Sequence, residues 1–69
     1  MSSPSLGELL PKEQARVREV LGHYKEIGPV GRFGAYMIEK ELQAADKAIM
    51  SGDVVEMLKA YKALKEIKD

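Results

Sequence analysis

Gly28-Pro29-Val30-Gly31-Arg32-Phe33-Gly34 is the stretch on which the reading of this chain turns. A glycine followed by a proline ends a helix. Glycine takes the left-handed position just past the last turn, and proline cannot continue the helix. The further glycines at 31 and 34 allow a tight turn and a close approach of the flanking segments. The residues before it read as a first helix over about 11–27, and those after it as a second over about 33–50. The run is not the G-x-G-x-x-G dinucleotide fingerprint, because no strand precedes it, and it lacks the Gly-Lys-Ser/Thr ending of a phosphate loop. Arg32, at the start of the second helix, would suit an anion at exposed backbone donors. A purely structural turn is the preferred reading.

The second helix carries most of the pattern. On a wheel of about 100° per residue, Ile38, Leu42, Ala45 and Ile49 form one apolar stripe, and Phe33, Met37, Ala44 and Ala48 a second beside it. The combined arc is wider than the roughly 100° that one partner requires, so it predicts contact with two neighbours. Tyr36, Glu39, Lys40, Gln43, Asp46 and Lys47 fall on the wet side. Glu41 breaks the pattern by projecting inside the apolar arc. An unpaired charge is costly to bury, so Glu41 is predicted to bond Tyr61, Lys65 or Arg16, which antiparallel neighbours bring level with it. A pairing that fixes helix register is preferred to an active role.

Working outward, Ser5-Leu6-Gly7-Glu8 fits a capping box around a short N-terminal turn. Pro11 suits the first position of the first helix. Val17, Val20, Leu21, Tyr24 and Ile27 follow the spacing of a buried stripe. Beyond Gly52, Asp53-Val54-Val55-Glu56 is a second capping box. It opens a third helix over about 54–68, with Val54, Met57, Leu58, Tyr61 and Leu64 on its buried face. Asp53 and Glu56 at its start and Lys62, Lys65 and Lys68 toward its end match the helix dipole. Short connections favour antiparallel neighbours. The expected fold is all-α: an up-down-up three-helix bundle of residues 11–69, preceded by a tail with a short capped turn over 1–10.

Sixty-nine residues make one domain at most, and a core this small is marginal. There is no cysteine, hence no disulfide framework and no thiolate zinc site. Eleven basic residues balance eleven acidic ones, which removes the simplest argument for nucleic acid or an anionic membrane. No apolar run approaches a membrane span, and the N-terminus lacks the pattern of a signal peptide, so a cytoplasmic chain is expected. His23 is the only histidine, and one histidine does not make a metal site. No cofactor, metal site, small-molecule substrate or catalytic group is legible, and no enzyme is expected.

Leu6, Leu9 and Leu10 are too apolar for a free tail. They either cover one end of the bundle or offer a contact to another chain. Arg32, Tyr36 and Met57 complete the candidate interface. The runs Leu10-Pro11-Lys12-Glu13-Gln14-Ala15-Arg16-Val17 and Ser51-Gly52-Asp53-Val54-Val55 resemble those of small bacterial helical proteins of unknown function, some carried on prophages. That resemblance implies a helical fold and no particular activity. The leading expectation is a small helical module that self-associates or binds a protein partner. The alternative is a nucleic-acid-associated regulator of helix-turn-helix type. The long connector, the mixed charges on the second helix and the zero net charge count against it.

Overall fold

The computed structural model describes residues 5–68. Met1 to Pro4 and Asp69, assigned above to the tail and the domain's last residue, lie outside the described residues. Helix α1 spans Leu6–Glu26, α2 Arg32–Ser51 and α3 Val54–Lys65, with one 3₁₀ turn, Pro29–Gly31, between the first two. Lys25 pairs with Glu39 near that turn, and Gln14 bonds Asp46 farther from it, so α1 and α2 run antiparallel. Helix α3 folds back along α2, and all three helices touch one another. The fold is the expected all-α three-helix bundle.

Its core is Leu10, Val17 and Val20 from α1, Ile38, Leu42 and Ala45 from α2, and Ala60 and Leu64 from α3. Leu21, Tyr24, Met57, Tyr61 and Ile67 pack around it. Gln14 is buried with them, four residues after Leu10 and three before Val17, and its Nε2 donates to Asp46 Oδ1 at 2.8 Å. A buried amide needs such a partner.

The first helix begins earlier than its proline suggests. It runs through Pro11 without interruption from Leu6. Proline this deep in a helix cannot donate to the carbonyl of residue 7, at a cost of about 3 kcal/mol. Complete burial of Leu10, with Leu6 and Leu9 half-buried, offsets it at about 1.5–3 kcal/mol for each fully buried leucine. The expected capping box at Ser5 does not form. The Ser5 side chain makes no capping bond, and its carbonyl receives the Glu8 and Leu9 amides at 2.9 Å each.

The third helix ends earlier than expected, at Lys65. The carbonyl of Leu64 accepts from Arg16 Nη2 at 2.9 Å and from the Ile67 amide at 3.0 Å, so the chain leaves the helix in a tight turn. Twelve residues reach about 18 Å, against about 30 Å for the twenty of α2. Helix α3 therefore stops short of the first turns of α2. This is why the predicted second stripe of α2 is only partly buried. Ala48 is covered, while Phe33 is 75% exposed and Met37 44% exposed; Ala44, which α3 does reach in level, faces out because it lies on the far side of α2 from Leu42 and Ala45. The buried stripe of α2 is Ala35, Ile38, Leu42, Ala45 and Ala48, and Ile49, expected in the first stripe, is exposed instead. On α3 the buried side is centred on Ala60 and Leu64, which leaves Val54 and Leu58 exposed, contrary to expectation. Ile27 is exposed as well, because α1 ends one residue before it.

Candidate interaction surface

The turn between α1 and α2 is built as its glycines require. Gly28 has φ +88°, a conformation in which side-chain-bearing residues are strained. Gly31 is buried, and a Cβ there would run into the backbone carbonyl of Tyr24. A Cβ on Gly34 would lie 2.6 Å from the Tyr24 ring. The three glycines thus let the start of α2 close onto Tyr24. At the other corner Gly52 takes φ +72°, and its amide reaches the carbonyls of Ala48 and Ile49. Asp53 then caps α3, its Oδ1 accepting from the amides of Val55 at 2.9 Å and Glu56 at 3.3 Å.

Polar contacts tie α1 to both neighbours. Asp46 receives Gln14 and lies 3.9 Å from Arg18, while Lys25 Nζ is 3.1 Å from Glu39. Arg16 grips Glu13 through two guanidinium nitrogens and also holds the end of α3. The acids on the α1-facing edge of α2 are therefore engaged within the chain.

The expectation for Glu41 fails. The residue is half-buried beside Met37, Ile38, Ala63, Glu66 and Ile67, in a groove of about 270 Å³ between α2 and α3. Among the described residues it has no hydrogen bond or ion pair to Tyr61, Lys65 or Arg16. Lys65 lies instead over the Tyr61 ring at 5.5 Å, and Arg16 is held by Glu13 and Leu64. The early end of α3 keeps the groove open to water, so Glu41 needs no buried partner.

The candidate interface residues scatter. Leu10 is fully buried in the chain's own core, and Leu6, Leu9 and Met57 are half-buried. Arg32 and Tyr36 are exposed and line an open groove of about 350 Å³ with Lys25, Gly28, Pro29, Ala35 and Glu39. His23 is exposed. The surface carries several large apolar side chains that the sequence pattern placed inside or passed over. Val30 and Met50 are each 87% exposed, and Phe33, Val54 and Val55 are each more than half exposed. Val30 and Met50 stand beside the glycine stops at the two corners, a position from which exposure can be read. Among the described residues no cluster of three or more His, Cys, Asp or Glu could hold a metal, and no helix is long and apolar enough to cross a membrane.

No family matches. Neither a protein-family model, nor a curated protein, nor a solved structure is similar to the chain.

Proposed function

We propose that the protein is a small helical interaction module, without catalytic activity of its own, that associates with a second copy of itself in the cytoplasm. The observation that carries this reading is the exposure of Val30, Phe33, Tyr36 and Met50 on a chain with so small a core. Apolar residues scattered singly on a surface need no explanation, but large side chains this exposed at the start and end of one helix favour a contact. The grooves lie open along the helices, and they offer little enclosed volume for a substrate. The test is a dilution series followed by amide and methyl NMR. Resonances of Val30, Tyr36 and Met50 are expected to shift with concentration, while those of the buried Leu10, Val17 and Leu64 stay fixed. Spectra independent of concentration up to the millimolar range would contradict self-association.

A further inference from the structure

Helix α3 and its C-cap keep their carboxylates on one edge and their free cations on the other. The edge toward α2 is marked by Glu56, which lines a groove with Ala44, Lys47 and Ala48, and by Glu66 and Ile67, which stand beside Met37 and Glu41. The opposite edge carries Val54, Leu58, Tyr61 and Lys65, neighbours at helical steps of four and three residues, with Lys62 farther out. This edge looks toward α1. From α1, Arg16 reaches across to the Leu64 carbonyl and holds Glu13 along its own helix, so these two residues mark the edge of α1 that faces α3. Leu9, four residues before Glu13, stands on the same edge and is half-buried.

Helices α1 and α3 are each antiparallel to α2, hence parallel to each other, and both begin at the same end of the bundle. The face between them is therefore apolar at that end, with Leu9, Val54 and Leu58, and basic toward the other, with Arg16, Lys62 and Lys65. Nothing in the single chain uses it. Val54 is 67% and Leu58 44% exposed. Lys62 and Lys65 have no ion pair among the described residues, and Lys65 lies only over the Tyr61 ring. Glu13, the one carboxylate on the face, is taken up by two guanidinium nitrogens of Arg16.

We infer that this α1–α3 face receives an amphipathic helix of a different protein, one whose apolar stripe is bordered by aspartates or glutamates on the side that meets α3. The stripe covers Leu9, Val54, Leu58 and Tyr61, the carboxylates meet Lys62 and Lys65, and the bundle becomes one of four helices. A second copy does not fit, because a two-fold pairing through this face brings Lys62 and Lys65 against the same lysines. A phosphate backbone or an anionic membrane suits it less well, since Glu19 lies on the flank of α1 beyond Arg16 and repels a charge spread across the whole face. A single helix avoids that flank by carrying its carboxylates on one side only. The face looks away from α2, which bears Phe33, Tyr36 and Met50, so this inference goes beyond the proposed self-association and does not depend on it.

The test is an NMR titration of the labelled protein with two synthetic helical peptides of about 18 residues. Both share one leucine and alanine stripe; one has glutamate and the other lysine at the positions bordering it. The glutamate peptide is expected to bind saturably, at least about tenfold more tightly than the lysine peptide, and to shift the methyl resonances of Leu9, Val54 and Leu58 while leaving Val30 in place. Lys62→Glu/Lys65→Glu alters exposed positions, is expected to keep the wild-type circular dichroism, and should reverse the order of the two peptides. Should that variant fold poorly, Lys62→Gln/Lys65→Gln carries the same test, since it should abolish the discrimination between them. Equal affinity for the two peptides, no saturable binding of the glutamate peptide up to the millimolar range, or shifts centred on α2 would overturn the inference. Binding to vesicles of phosphatidylcholine and phosphatidylserine, or to duplex DNA, with no binding of the glutamate peptide would overturn it too and assign Lys62 and Lys65 to phosphate. Each of these failures leaves self-association standing, because that is read from sedimentation of the protein alone.

Discussion

At the residue scale, the glycines divide by what surrounds them, and the division predicts opposite responses to one substitution. Gly34→Ala drives a methyl group into the Tyr24 ring, with a Cβ to Cε2 distance of 2.6 Å before relaxation. The ring has to move, at an expected cost of about 1–3 kcal/mol. Gly22→Ala meets open space and should gain up to about 1 kcal/mol through helix propensity. Urea unfolding of the two variants, at a dilution and salt that keep the chain monomeric, measures both signs. Equal effects would mean that α2 does not close onto Tyr24 as described. The turn was legible because Gly28-Pro29 punctuates so strongly. That Gly31 and Gly34 serve the same tyrosine was only half legible. Spacing reports that helices approach there, and three dimensions are needed to show on which side chain they close.

At the element scale, the boundaries show where sequence signals compete. The proline rule places the start of α1 at Pro11, yet the helix begins at Leu6 because burial of Leu10 outweighs one missing backbone bond. The prediction is direct. Leu10→Ala should destabilise the protein by about 2–5 kcal/mol, the range for a truncated core leucine, measured by thermal or urea unfolding. A change under about 0.5 kcal/mol, typical of a surface site, would return residues 6–10 to a peripheral tail. The end of α3 was not legible, because it depends on Arg16 reaching the Leu64 carbonyl from another helix. Helix α3 ends one residue beyond that contact, and its early end leaves Phe33 and Met37 exposed and the groove beside Glu41 open. The expectation for Glu41 failed for the same reason, since the wheel assumes that a neighbour covers the whole arc. Ala35 and Ala60 escaped the predicted stripes although they stand three residues before Ile38 and four before Leu64. Gln14 escaped because a polar residue at a core spacing is discounted, although its partner Asp46 satisfies it.

At the scale of the whole molecule, the fold and its surface answer to one shortage. A chain of 69 residues in three helices has little interior, and large apolar side chains at both corners and along α2 and α3 are left outside. Net charge is zero, with Lys12 beside Glu8, Glu19 and Glu26 on the outer face of α1 and Lys40 and Lys47 on that of α2. Such a distribution steers one copy onto another more effectively than onto nucleic acid, whose phosphates the row of glutamates would repel. Because the contact is flanked by exposed charges, raising the salt should weaken it. Sedimentation equilibrium of the unmodified protein, from micromolar to millimolar at low salt, tests the central claim most directly. The average mass is expected to rise from the 7.7 kDa of one chain toward twice that value, and the rise to be reversed by added salt while helicity is retained. A mass that stays at one chain across the whole range would contradict it.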